Sequence, residues 1–167
     1  AFARGDVYSI ADYTDPESGE GVNEVISRGL GYVGTEVTWP FGRTAGRFDF
    51  IVEPMASVVL SPNGGNDSRI PNADSLVTEL DESNLFEPNR VPGYDPREDS
   101  QRAMVGARAI ARWSATSEAR MFLGQSYRAD NAVEFSPASG LSGDVSDIVG
   151  GAELMLGAVE TGPTRNV

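Results

Sequence analysis

Cysteine, histidine and lysine are all missing from the 167-residue chain. Without cysteine there is no disulfide and no thiolate chemistry. Without histidine there is no imidazole base, no Ser-His-Asp triad and no Cys/His metal site. Basic residues are scarce as well: 13 arginines oppose 25 acids, for a formal charge of -12. A net anion is repelled by the phosphate backbone, so nucleic acid is not an expected partner. No stretch approaches the roughly 20 apolar residues of a spanning helix. Arg4, Asp6 and Asp12 interrupt the apolar core that a signal peptide needs at residues 1–12, and there is no initiator Met. The sequence therefore reads as a window cut from a longer chain.

What is present is alternation, and strict period two means strand. Phe48, Phe50, Val52, Pro54, Ala56, Val58 and Leu60 share one phase, against Asp49, Glu53 and Ser57 mixed with Ile51, Met55 and Val59 in the other. In 102–113, Ala103, Val105, Ala107, Ala109, Ala111 and Trp113 alternate with a phase that carries Arg102, Arg108 and Arg112. The alanines favour helix by propensity, but a helix would scatter these arginines around its axis, whereas a strand gathers them on one face. Residues 29–41 place Val33, Val37, Trp39 and Phe41 in one phase and Glu36 in the other. Runs at 120–128 and 146–157 alternate less cleanly, and 2–11 is a weaker sixth candidate.

The connections are of two kinds. Residues 42–47 and 114–119 are tight turns, while 12–27, 61–101 and 129–145 are long, polar and rich in Gly, Pro, Asn and Asp. With Leu76–Leu80 taken as a strand inside the long loop, the connections run long, short, long, short, long. That order, with spans of about 9 to 11 residues, is the pattern of an outer-membrane barrel. A water-soluble β-sandwich alternates in the same way. Trp39 and Phe41 beside one short turn and Trp113 beside the other resemble an interfacial aromatic girdle; as ordinary core aromatics they would fit the sandwich.

Chemical motifs are few. Nine acids crowd 67–99, yet nothing fixes two of them at glycosidase separation, and solvated loop charge is the simpler reading. No G-x-S-x-G elbow and no phosphate-cradling loop occurs. Asn63, Gly64, Gly65, Asn66 and Asp67 offer half of a calcium-binding turn without its full ligand spacing, or simply a turn with positive φ. No metal, cofactor or catalytic residue is assigned.

The loop residues carry a more specific signal. Ser61-Pro62-Asn63-Gly64-Gly65-Asn66-Asp67-Ser68-Arg69-Ile70-Pro71-Asn72 is followed by Asp81-Glu82-Ser83-Asn84-Leu85-Phe86 and by Asn89-Arg90-Val91-Pro92-Gly93-Tyr94-Asp95. Val52-Glu53-Pro54 precedes them, and Leu123-Gly124-Gln125-Ser126-Tyr127-Arg128 and Ser146-Asp147-Ile148-Val149-Gly150 come after. In this order, over roughly 29–157, the sequence resembles the lipopolysaccharide-assembly outer-membrane family LptD, also called OstA or organic solvent tolerance proteins. It departs from the family pattern at Leu76–Leu80, which lacks aromatics, at Val91 where Phe is usual, and at Asp99-Ser100-Gln101 in place of a Gly-rich approach to the strand.

The resemblance implies an all-β, antiparallel meander forming part of a large transmembrane outer-membrane β-barrel, with long extracellular loops and short periplasmic turns. Residues 1–167 would be a fragment of that one barrel domain, with a periplasmic jelly-roll domain and the remaining strands outside it. It implies a non-enzymatic translocon in the outer membrane of a Gram-negative bacterium. The expected partners are lipopolysaccharide, outer-membrane lipid, a plug lipoprotein of the LptE type and a periplasmic bridge protein reached through the N-terminal domain. Trp39, Phe41, Phe48, Phe50, Val52, Val58, Leu60 and Trp113 would then meet lipid or its interface. Glu36, Glu53, Arg102, Arg108 and Arg112 would face the lumen, the arginines either attracting lipid phosphates or pairing with carboxylates and plug residues. Asn63, Gly64, Gly65, Asn66, Asp67, Asn84, Phe86, Asn89, Arg90, Gly93, Tyr94 and Asp95 would cap the lumen from outside or pack only on one another. The alternative remains a soluble sandwich binding glycan or calcium through its acidic loops. A cooperative melt of the isolated, detergent-free fragment would favour it over a barrel segment with unpaired edges.

Overall fold

The computed structural model describes residues 1–63, 66–72, 79–129, 135 and 137–157. They form β1 (Phe2–Thr14), β2 (Gly21–Thr38), β3 (Phe41–Ala45), β4 (Phe48–Ser61), β5 (Ser100–Ser114), β6 (Ser117–Arg128) and β7 (Val149–Met155), plus a single 3-10 turn at Pro137–Ser139. All pairings are antiparallel, in the order β1-β2-β4-β5-β6-β7, with β3 also on β4. The chain is an all-β meander. The expected strand at Leu76–Leu80 falls mainly on residues outside those described.

β2 and β3 are one strand with a gap in its ladder. Thr38 pairs with Met55, the Trp39 amide donates to the Pro54 carbonyl (3.1 Å), and Phe41 pairs with Val52. Only Pro40, which has no N–H, interrupts the series. The strand runs on to Ala45 and reverses through Gly46-Arg47, with φ of 61° at Gly46, the first central position of a type II′ hairpin. Trp39 and Phe41 thus lie well inside the strand, not beside the turn as the sequence suggested. The aromatics that do flank the turns are Phe48, Phe50 and Trp113, with Phe48 at 5.8 Å from Phe50 and 6.2 Å from Trp113.

A second expectation fails at 12–27, read as a long loop. β1 continues to Thr14 and β2 starts at Gly21, so only a tight turn remains, closed by the Asp15 amide on the Glu20 carbonyl (2.9 Å). Asp12, at φ 55°, marks a bulge between Ile10 and Tyr13 that restores the facing of the side chains. The alternation was hidden because this half of the hairpin places small or polar residues, among them Ser9, Asn23, Ser27 and Gly29, where the other strands place Val, Phe and Leu.

Alternation gives the sheet two unlike faces. One is bare: Phe50, Val52, Val58 and Leu60 are 41–47% exposed, and Val33, Val37, Trp39 and Phe41 more so. In register beside them run Ala103, Val105, Ala107, Ala109 and Ala111, then Met121 and Leu123. From Phe50 to Leu60 a strand tilted by about 40° rises about 25 Å, the height of the apolar band of an outer-membrane barrel. A sandwich needs a second sheet over these side chains, and none of the described residues forms one. The other face carries Glu53, Met55, Ser57 and Val59 opposite Arg108, Gly106, Met104 and Arg102, and the long loop lies against it.

β5 begins under strain. Ser100 has φ of 91°, a conformation open to glycine, and its hydroxyl is buried without a partner. Ser100→Gly relieves both penalties, so it should raise stability by about 1 kcal/mol. A denaturant midpoint that stays put or falls contradicts this account.

Candidate functional site: a loop seated on one face of the sheet

The loop between β4 and β5 docks at two places. Its first part rests on the β1–β2 hairpin, where Ile70 packs with Ile10, Val22 and Ile26. The Arg4 and Arg28 guanidiniums converge on Asp6 (2.6 and 3.0 Å), and both also donate to the Tyr94 carbonyl. Tyr8 donates to Asp95 (3.3 Å), and Arg69 bridges Asp67 and Glu24. The base is tied by Asn66, which bonds both the N–H and the carbonyl of Arg97 across 31 residues of chain.

The second part enters a notch in β5–β7. Gly106 and Gly124 are cross-strand partners on the covered face, and their missing side chains leave room for Leu85 and Phe86. A Cβ at Gly124 would overlap Leu85 Cδ2, and one at Gly106 would lie 3.2 Å from the Phe86 ring. Leu85 is fully buried with Phe122 and Val149. Asp81 holds the segment's shape: its carboxylate accepts from the Ser83 amide (2.7 Å) and hydroxyl (2.6 Å) and from the Asn84 amide (3.1 Å). Asn84 returns the bond to the Asp81 amide (3.0 Å) and donates to the Glu79 carbonyl (2.8 Å). These donors keep the Asp81 carboxyl below its ordinary pKa, the Ser83 hydroxyl contributing most.

Between the two parts the loop is stitched by buried charge. Arg90 and Glu98 pair with both side chains wholly buried, the Arg90 Nε at 2.8 Å. Arg102 shares Glu98 (3.6 Å) and donates to the carbonyls of Glu98, Asp99 and Pro88. Asn89 accepts from the Glu98 amide (2.9 Å) and donates to the Val91 carbonyl (2.6 Å). Gly93 makes its turn at φ 87°. Below this cap lies a belt of ion pairs around a depression of about 430 Å³. Arg108 stands between Glu53 (3.6 Å) and Glu82 (3.7 Å), Arg112 pairs with Glu118 (2.7 Å), and Arg120 reaches Glu118 and Glu153.

The residues expected toward the lumen all occupy the covered face, Glu36 by its pairing with Ser57. Glu53, Arg108 and Arg112 line the belt, while Arg102 is sealed beneath the loop instead of lining open space. Those expected toward lipid all lie in the bare phase. Of the cap candidates, Asn66, Asp67, Asn84, Phe86, Asn89, Arg90, Gly93 and Asp95 build the loop's own structure. Tyr94 stays 73% exposed, Asn63 is exposed, and Gly64 and Gly65 lie outside the described residues. Sequence reasoning missed Leu85, Glu82, Glu98 and Arg97 as contributors. It also passed over the glycines at 106, 124 and 151, although glycine inside a strand signals a close approach.

An antiparallel meander with one bare apolar face and one charged face closed by its own loop is a segment of a transmembrane outer-membrane β-barrel. The profile of the family described as "LptD: LPS transport system D" matches residues 1–158. The chain belongs to the LptD family, whose function is lipopolysaccharide transport at the outer membrane of Gram-negative bacteria. No curated protein and no solved structure matches it.

Gly124→Val should unseat the loop. Strand propensity favours replacing this glycine by about 0.5–1 kcal/mol, but overlap with Leu85 costs about 1–3 kcal/mol, so the net sign is destabilising. Limited proteolysis should cut residues 79–99 faster while the strands stay resistant; unchanged cleavage contradicts the notch. Acid should act locally too. Because the folded Asp81 pKa is depressed, its stabilisation is present above the unfolded value near 3.9 and lost as pH falls through the folded one. Protection of the Ser83 and Asn84 amides against exchange, measured relative to the intrinsic rate at each pH, should fall as pH drops below about 4.

Proposed function

We propose that this chain forms part of the wall and extracellular cap of a translocon that inserts lipopolysaccharide into the outer leaflet. In this reading the bare face meets hydrocarbon and the covered face lines the lumen. One observation carries it: the sheet leaves its apolar face uncovered while its own loop occupies the charged one. The outer edge of β2–β3 from Val33 to Ala45 has no partner among the described residues, and in hydrocarbon such an edge needs further strands. These strands and a periplasmic domain that receives lipopolysaccharide from the bridge protein would lie outside residues 1–167.

The belt suits passage of a phosphorylated glycan. Arg108 and Arg120 are half-exposed; Arg108 has its partners at 3.6–3.7 Å and keeps water in its shell, while Arg120 holds Glu118 closely and Glu153 at 3.8 Å. Pairs of this kind contribute about 0–1 kcal/mol and exchange readily. A charged solute sliding along them meets both signs and no deep trap. Pairing with wall and loop carboxylates thus accounts for Arg102, Arg108 and Arg112 better than capture of phosphate does. The cap closes the extracellular end, and a plug lipoprotein of the LptE type fits against the remaining covered surface, with Glu36 and the exposed Tyr94 as contact candidates.

A photo-crosslinking amino acid separates the faces. Ile110 and Ala111 are neighbours near the short turn, on the covered and bare faces respectively. In the full-length protein in cells, the Ile110 position should yield adducts with lipopolysaccharide or plug, and Ala111 should yield phospholipid adducts of the inner leaflet. Lipopolysaccharide adducts from Ala111 alone would reverse the assignment. As a second readout, Ala107→Arg on the bare face should cost about 2–4 kcal/mol in bilayers, where a soluble sheet would change by no more than about 0.5 kcal/mol.

A further inference from the structure

The chain is strongly acidic, yet three arginines, Arg4, Arg28 and Arg97, gather on one part of its covered face. Arg4 and Arg28 share the single carboxylate of Asp6. Arg97, beside them at the base of the loop, has no carboxylate within ion-pair distance among the described residues. Its Nε and one terminal nitrogen, Nη1, are buried and make no hydrogen bond. Its backbone is clamped by Asn66, and its guanidinium lies 4.1 Å from the centre of the Phe2 ring, which itself stacks on Tyr32 at 5.4 Å. Burial holds its pKa below the ordinary guanidinium value, and the fields of Arg4 and Arg28 add to that. A guanidinium does not deprotonate in proteins, so a fixed, desolvated charge is left with two free donors.

Arg97 lines a cavity of about 90 Å³ together with Tyr32, Ser61 and Asn89. That is the room of about three waters, on the scale of a phosphate group. Glu98 and Asp99 line it too, but the Glu98 carboxylate is taken by Arg90 and Arg102, and Asp99 lies in the field of Arg102 and Arg128. Arg128 likewise has no carboxylate within ion-pair distance among the described residues, but it donates to the carbonyls of Leu141 and Gly143. We propose that Arg97, held over Phe2, anchors an oxyanion subsite that takes a phosphate monoester. A guanidinium presents two-donor edges at Nε/Nη2 and at Nη1/Nη2, each carrying one of the two free donors, and such an edge suits two phosphate oxygens. The glycolipid as the phosphate's source rests on the lumenal reading above; free phosphate offers the same chemistry.

The test uses the full-length protein in detergent, with calorimetric titration of inorganic phosphate, of a phosphorylated lipid A disaccharide and of its dephosphorylated counterpart. Wild type should bind phosphate, and R97Q should bind it at least about tenfold more weakly. R43Q, on the bare face, should match wild type. R97K keeps the charge but loses the fork, so it should fall several-fold short, and it serves where R97Q fails to fold. The phosphorylated lipid should show the same dependence on Arg97, and the dephosphorylated lipid none. No phosphate binding by wild type, or equal binding by R97Q or R97K, overturns the subsite. Phosphate binding that needs Arg97 while lipid binding ignores it overturns the glycolipid as source. Failure of the translocon reading is visible separately, as absence of lipopolysaccharide adducts at Ile110 while phosphate binding at Arg97 persists.

Discussion

A loop can lie flat on a sheet only where the sheet withholds its own side chains, and the space above Gly106 and Gly124 meets that condition. Leu85 and Phe86 occupy it, and from there Glu82 reaches Arg108. Were either glycine replaced by a larger residue, the loop would stand off the wall and its buried pair Arg90–Glu98 would be exposed to water. The two docking points act together. Ile70 on the β1–β2 hairpin and Leu85 on β5–β7 pull the loop across the intervening strands, and the loop in turn joins parts of the sheet that do not hydrogen-bond to each other.

Charge does different work at the two depths. In the belt, pairs are partly solvated and individually weak, which suits a surface that must stay wet. Under the cap, Arg90, Glu98 and Arg102 are dry, and burial of such a group costs as much as its Coulomb attraction returns. Its value lies in selectivity: the loop gains a place for Glu98 only when Arg90 and Arg102 are both in position, so slipped arrangements leave a buried charge alone. Arg97 and Arg128, without a carboxylate in ion-pair distance among the described residues, stand outside this matching.

How much of this was legible in the sequence depended on whether one phase was uniformly apolar. Where it was, as from Phe48 to Leu60 and Ala103 to Trp113, strand and the grouping of side chains by face followed directly, while register did not. In the β1–β2 hairpin both phases hold small or polar residues, so the strands at 12–14 and 21–27 read as loop. The first short turn misled in a different way: taking all of 42–47 as the connection set Trp39 and Phe41 beside it, whereas β3 continues to Ala45 and only Gly46-Arg47 turn. Alternation put Arg102 on the face of Arg108 and Arg112 but gave no depth, because what covers it lies in a loop whose fold depends on Asp81, Asn84 and Asn89 bonding the backbone. Loop order and identity, by contrast, carried the family resemblance well, and among the described residues Asn66, Asp81, Asn84, Asn89 and Gly93 each have a geometric task.

Three transitions coincide at the row where Val33 meets Leu60. On the bare face, Val and Leu give way to Gly31, Gly29 and Ser27; β4 hands over to the loop at Ser61, whose hydroxyl donates to the Gly31 carbonyl (2.8 Å); and on the covered face, wet pairs give way to the dry cluster. Independent evolution of a hydrophobic boundary and a cap would not need to align them. In a membrane they must align, because a lumen closed below the headgroups would leave a polar well open to hydrocarbon-depth solutes, and one closed far above would leave the exit unguarded. In the proposed translocon, seating the loop at the level where the bare face loses its Val and Leu side chains would put the closure at the plane into which an amphipathic glycolipid has to emerge.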